Sequence, residues 1–505
     1  MRLRVSASAL LYIALAAALF VLMLSETVTQ TVDGSWVGDF WEHSAVVREL
    51  ARHLLHPAHP LLAVDKPHEF FSPYALVLAA VSRVTTLSAV TVLGIAGMVN
   101  LVLLLAALPR FVRLFSNERY APFLALFFTL VLWGSHPLVY SGFLHFNVIG
   151  LVLPYPSTFG TALTMWTVVV WVGYLGRPQA WRLVFVALAA AVVLLTHPVA
   201  AFFLVVLMAA FSFQRLGTGS ARIPALAGVG AVMLVAALLW PYYPFFKLLH
   251  EEGVFDESNH ALYLSMLQQV LPVLPAVLLL PLRLRVSRRD PLVLTFVVLA
   301  VVYALGDVMS RWSLGRVLPY GVLLLHIVLA DRIAARFGRG RLAPAAMVAV
   351  VVAVLYLSAA NMELEKPAVR ALPRSVFPSL TAAYRPEAIA PTYSRLFAGV
   401  PRASVTMASE RAGWPVPTYG GRIVAALHPQ AFIANLARRD RDVATFFDPA
   451  TADAIRSRLL CRYGADYVLV DRIDGGVAPG ALGDLGRRVR SDGQYVLLAV
   501  FHRCA

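Results

Sequence analysis

A chain of 505 residues that is 59% hydrophobic and only 14% charged cannot gather its apolar surface into one water-soluble core, which excludes an ordinary soluble enzyme. The formal charge of +15 does not mark a nucleic-acid binder, because the arginines stand in short clusters between apolar runs, not in a patch interleaved with aromatics. Composition and charge together describe a polytopic α-helical membrane protein whose constant partners are membrane lipids, with no nucleic acid.

The chain opens on Met1-Arg2-Leu3-Arg4 and an apolar run from Ala7 to Leu24 that no small-residue cleavage site ends, so it reads as a retained first span with its amino terminus inside. Runs able to cross the hydrocarbon fall near 7–25, 89–108, 121–135, 157–175, 182–196, 198–213, 222–244, 263–282, 291–306, 317–331 and 342–359, about eleven spans in all. With the first span running outward, the inside loops carry Arg110, Arg113 and Arg119, then Arg177 and Arg182, then Arg215 and Arg222, then Arg283 to Arg289, then Arg332 to Arg341. The outside loops near 136–156 and 196–198 carry no Lys or Arg. An arginine-rich, lysine-poor chain of this kind fits a GC-rich bacterial genome. The expected location is therefore the bacterial cytoplasmic (inner) membrane, with many passes and the carboxyl-terminal part outside.

The first outer loop, 26–88, holds two helical patterns. Phe40 to Leu55 is amphipathic, with Val47, Leu50 and Leu54 on one face and Glu42, Glu49 and Arg52 on the other. Tyr74 to Leu87 is apolar but contains Arg83, and counting it as a span would put every later arginine cluster outside. It is expected to lie along the outer interface. Pro57, Pro60, Pro67 and Pro73 break the chain between and around the two.

A first span running outward, an acidic motif at the mouth of a long outer loop, two juxtamembrane helices and many further spans resemble the GT-C superfamily of membrane glycosyltransferases, in the branch that includes protein mannosyltransferases and lipid A aminoarabinose transferases. The residues that carry the likeness are Asp39-Phe40-Trp41-Glu42-His43, then Lys66-Pro67-His68 with Ser72-Pro73-Tyr74-Ala75-Leu76, then the run from Ser88 to the basic exit Arg110-Phe111-Val112-Arg113. The likeness covers roughly residues 7–180, and the chain departs from the usual adjacent Asp-Glu pair by placing Phe40 and Trp41 between Asp39 and Glu42. The resemblance implies a GT-C-like membrane domain over 1–359. It also implies an inverting glycosyltransferase that moves a sugar from a polyprenyl-phosphate donor to a hydroxyl of a glycan, lipid or protein acceptor in the cell envelope. A transporter would more often show repeated halves, and a catalytically inactive GT-C-like assembly protein would share the architecture without needing Asp39.

Such a transfer needs a base for the hydroxyl proton and cations for the departing phosphate. Asp39 is the expected base, with Glu42 beside it as the second catalytic carboxylate. Their spacing also matches a helix capping box, which would be structural. For the donor phosphate the candidates are Arg316, Arg311 and Lys66. Arginine binds phosphate in bidentate fashion, but an ion pair of Asp307 with Arg311 or Arg316 would account for the same residues. Lys66 and His68 also fit a solvated surface. His43, His145, Tyr155 and Trp414 are candidates for contact with acceptor or sugar, although histidines at span ends also hydrogen-bond irregular backbone and Tyr155 also fits an interfacial belt. Outward histidines beside carboxylates are donor types that a divalent metal takes, yet no pair has helix-ligand spacing, so no metal ligand and no certain cofactor is assigned.

From about residue 360 the composition changes to prolines, charges and short apolar runs, and 360–505 reads as a soluble extracytoplasmic α/β domain. Trp414 to Arg422 is expected to be a loop with strand-like flanks, Thr451 to Cys461 a helix, and Tyr467–Val470 and Tyr495–Val500 strands. Cys461 and Cys504 are the only cysteines, and a bond between them would close a loop of about 43 residues; two free thiols are the alternative.

Overall fold

The computed structural model describes residues 6–215, 222–250, 253–338, 340, 342–359, 361–382, 388–473 and 476–501. The chain forms two compact units that interleave along the sequence. One comprises Met1–Val28, Ile95–Trp240 and Phe255–Pro373, the other Thr29–Gly94, Pro241–Val254 and Arg374–Ala505.

The first four helices are α1 (Ala7–Asp33), α2 (Phe40–Arg52), α3 (Pro73–Thr85) and α4 (Ala89–Val112). Among the described residues α1, α4, Pro156–Gly176, Pro291–Val308 and Trp312–Phe337 are long and apolar enough to cross a membrane. Shorter apolar helices occupy Ala121–Val131, Ala180–Thr196, Pro198–Gln214, Arg222–Leu238 and Ala343–Ala359. The expected run at 263–282 is the exception. It breaks into short helical pieces, Ala261–Leu264, Met266–Val270, Leu274–Leu279 and Leu280–Val286. Pro272, Pro275 and Pro281 cause the break, since each lacks an amide hydrogen and crowds the preceding turn. Within the broken run Gln269 bonds a remote segment: Gly134 N donates to its backbone oxygen at 2.7 Å and Leu138 N to its side-chain oxygen at 3.1 Å.

Two charge networks brace this first unit, one buried and one half-buried. Arg370 donates to Glu26 at 2.6 Å and to Asn147 O at 2.8 Å, while Gly150 leaves the room, because a Cβ there would lie 2.3 Å from Glu26 Oε2. Arg283 meets Asp290 at 2.9 Å, Asp331 at 3.1 Å and Phe115 O at 3.0 Å.

The second unit joins α2 and α3 to a five-stranded sheet. Its strands are β1 (Val405–Ala408), β2 (Arg422–Ile423), β3 (Ala465–Asp471), β4 (Gly486–Asp492) and β5 (Tyr495–Val500), in the order β2-β1-β3-β5-β4. β1 runs parallel to β2 and β3, and β5 pairs antiparallel with β3 and β4. Both expected strands are present and are neighbours, with Tyr467 opposite Ala499 and Val470 opposite Val496. Met407, Phe446, Leu460, Val468, Val470 and Val496 form part of the core between the sheet and its helices. The expected helix occupies Asp453–Tyr463 and ends at Gly464, whose φ of +57° is the left-handed cap that glycine supplies without a Cβ penalty. Cys461 is disulfide-bonded, and Cys504 lies outside the described residues. The loop read at Trp414–Arg422 contains one short helical turn, Val416–Tyr419, with prolines in its first turn, and leads into β2.

Candidate active site

α2 starts at the acidic motif, and the structure separates its two carboxylates. Asp39 stands at the N-cap but makes no side-chain cap bond, so the capping reading of Asp39 and Glu42 does not hold. Its side chain is 36% exposed, and its Oδ1 lies 3.2 Å from Nε2 of His428. Glu42, expected on the solvated face of the helix, is buried at 2% exposure.

Neutral partners explain how a carboxyl group can be buried there. Phe70 N donates to His68 Nδ1 at 3.1 Å, which places the ring hydrogen on Nε2. That nitrogen is 3.2 Å from Glu42 Oε1, and Gln430 Nε2 donates to the same oxygen at 2.8 Å. Burial, reinforced by the charge of Asp39, pushes the Glu42 carboxyl up to about 8, so it is held as the neutral acid. With Oε1 accepting twice, its proton belongs on Oε2. Burial likewise pulls His43 down to about 4, lowers His68, and lowers His59 well below the usual histidine range. Burial also raises Glu69, whose Oε1 accepts from Ala431 N at 3.3 Å. The interior behind Asp39 therefore disfavours charge, and Asp39 is the accessible carboxylate at its edge.

The segment after Gly413 is tied to α2 along its length. Trp414 Nε1 donates to Gly38 O at 2.9 Å, Thr418 bonds Ser44, and Arg48 donates to Pro417 O and, at 2.8 Å, to Gly420 O. Gly38 has φ +62°, so the backbone entering Asp39 takes a conformation that glycine adopts freely.

The candidate residues thus divide. The second unit brings together Asp39, Glu42, His43 and Trp414, with His43 stacked on Phe70 at 4.7 Å and Lys66 exposed. His68, read as solvated, is fully buried. The first unit holds Arg311, Arg316, His145 and Tyr155. Arg311 lies 3.9 Å from Asp256, not against Asp307 as the sequence suggested. Arg316 sits over the Tyr140 ring at 5.9 Å, and its Nε is buried without a hydrogen-bond partner. His145 Nε2 is 2.9 Å from Leu138 O, and Tyr155 is buried at the start of the helix Pro156–Gly176. Sequence reasoning missed His428, Gln430, His59 and Glu69, which are single polar residues in irregular segments with no periodicity to mark them.

Comparison with solved structures then shows a shared fold, that of an archaeal oligosaccharyltransferase. The individual likeness is to the oligosaccharyltransferase of Archaeoglobus fulgidus. In its apo form the TM-score is 0.55 at 11% identity, covering 90% of this chain and 69% of that one. The same enzyme in complex with Zn and sulfate gives 0.53 at 12% identity, over 90% and 68%. In complex with an inhibitory peptide and a dolichol-phosphate it gives 0.53 at 11%, over 90% and 69%. No protein-family model matches the sequence, and no curated protein does.

Proposed function

We propose that this protein is a membrane glycosyltransferase that moves a sugar from a polyprenyl-phosphate carrier to an acceptor hydroxyl, with Asp39 as the base. The observation that carries the reading is the division of the acidic motif: one exposed carboxylate free of any capping role, beside a carboxyl group kept neutral by burial. Asp39 takes the acceptor proton as the acceptor oxygen bonds to the anomeric carbon from the face opposite the lipid phosphate. The carbon–oxygen bond to the phosphate breaks, and the configuration inverts. Lys66, exposed in the same unit as Asp39, is assigned to the departing phosphate; within the first unit the candidates for lipid-phosphate binding are Arg316, whose buried Nε lacks a partner, and Arg311. Trp414, His43, His145 and Tyr155 are assigned to sugar or acceptor contact.

The fold likeness supports a lipid-phosphate donor, since the archaeal enzyme is solved with dolichol-phosphate and, separately, with a tethered acceptor peptide. It is also solved with zinc. Among the described residues no group of three or more His, Cys, Asp or Glu has metal-holding geometry. In this reading residues 1–359 form the membrane domain with the amino terminus inside, and 360–505 stand outside with the first loop.

Deletion of the gene in its own host tests the reading. A polyprenyl-phosphate sugar should accumulate in the lipid extract by mass spectrometry and disappear when the full chain is restored. An unchanged lipid-phosphate sugar profile would refute the donor assignment.

A further inference from the structure

Two side chains of His428-Pro429-Gln430 each meet one carboxyl group of the acidic motif, and the two contacts differ in kind. Gln430 reaches Glu42 in the buried interior, where a neutral amide meets a neutral acid. His428 meets Asp39 at the edge, where the two side chains are 38% and 36% exposed and so face any molecule that approaches the carboxylate.

Several features fix the histidine relative to its partner. The Trp414 ring stands edge-on to His428 at 5.0 Å, and the same indole donates to Gly38 O, the carbonyl of the peptide bond leading into Asp39. One tryptophan therefore restrains both the histidine ring and the backbone that carries the aspartate. His428 Nε2 is itself buried and makes no hydrogen bond, and at 3.2 Å it is in contact with Asp39 Oδ1 without yet being aligned for one. Catalytic hydrogen bonds of this sort commonly tighten only when substrate is bound.

We infer that His428 is the positioning residue for Asp39: its ring N–H holds Oδ1 so that Oδ2 is presented to the acceptor hydroxyl. The inference rests on the reading of Asp39 as the base. A half-exposed aspartate with no capping bond rotates freely about two side-chain torsions. A reaction that needs its atoms within roughly 3–3.5 Å of each other is slowed in proportion to the time spent elsewhere. Holding one oxygen removes that freedom and leaves the other oxygen to take the proton. His428 itself gains and loses no proton in the step.

The test compares His428→Gln, His428→Asn and His428→Ala in the full chain, reconstituted in nanodiscs. Membranes of a strain lacking the gene serve as the source of both donor and unmodified acceptor, and Asp39→Asn is the reference. Glutamine carries its amide nitrogen as far from the backbone as Nε2, whereas asparagine does not reach. His428→Gln should keep at least half of the wild-type transfer rate, and the Asn and Ala variants should fall at least tenfold. Hydrogen exchange in α2 should stay unchanged in the Gln and Asn pair, which decides the matter even if the Ala variant fails to fold. Equal rates for Gln and Asn, or a wild-type rate for Ala with Asp39→Asn inactive, would overturn the positioning role and leave the base standing. An active Asp39→Asn protein would overturn both.

Discussion

Replacing Glu42 by glutamine should stabilise α2, and by an amount that depends on pH. In the folded chain the Glu42 carboxyl titrates near 8, against 4.5 when solvated. The sign follows from linkage. Stability contributed by the buried neutral acid is fully present below pH 4.5, declines as pH rises, and reaches its limit near 8. At about 1.4 kcal/mol per pH unit the decline is roughly 3 kcal/mol at pH 7 and roughly 4 kcal/mol at pH 8. Glutamine keeps an acceptor oxygen for His68 and Gln430 and never ionises, so Glu42→Gln escapes the decline. Hydrogen exchange of the Phe40–Arg52 amides in nanodiscs, variant against wild type at the same pH, reads the opening free energy. The gain should stay under about 1 kcal/mol at pH 5 and exceed about 2 kcal/mol at pH 8. A variant no better protected at pH 8 than at pH 5, or less protected than wild type, would mean that Glu42 is ionised in the fold and is not a buried neutral acid.

The histidines behind Asp39 act in the opposite sense. Burial depresses His43 to about 4, so its contribution is present above 6.5 and lost as pH falls toward about 4, and protection of α2 in the wild-type chain should decline on that side too. Arg370→Ala leaves Glu26 buried without its charge partner and should cost about 3–5 kcal/mol in thermal or denaturant unfolding, while a surface change such as Arg332→Ala should cost under about 0.5 kcal/mol. Arg316→Ala should slow use of the lipid-phosphate donor at least tenfold with Arg332→Ala near wild type; equal effects would remove Arg316 from the phosphate site. Thiol labelling of the unfolded, unreduced protein should find no reactive cysteine, and two would contradict the disulfide at Cys461.

Much of the architecture is readable from local pattern, because hydrocarbon imposes one rule on every span and two strands of the small sheet are apolar runs of Tyr, Val and Leu bounded by turns. Tyr467–Val470 and Tyr495–Val500 lie where that pattern puts them. The run 263–282 misleads because its mean apolarity hides three prolines, and proline acts on the backbone regardless of hydropathy. The position of the acidic motif is legible as well, but its division of labour is not. Helical periodicity sets Glu42 on a polar face, and only the arrival of His68 and of Gln430 from remote parts of the chain makes burial of a neutral acid tolerable. His428 carries no local signal at all, since its meaning lies entirely in what the fold sets beside it.

Asp39 carries the proposed reaction. The decisive measurement is the rate of sugar transfer by Asp39→Asn in nanodiscs, supplied with the membranes of a strain lacking the gene and followed by mass spectrometry of the product. Asp39 makes no cap bond, so the substitution should leave the exchange protection of α2 in place. The prediction is a fall in rate of at least a hundredfold with the fold intact. Transfer at the wild-type rate by that protein would contradict the account.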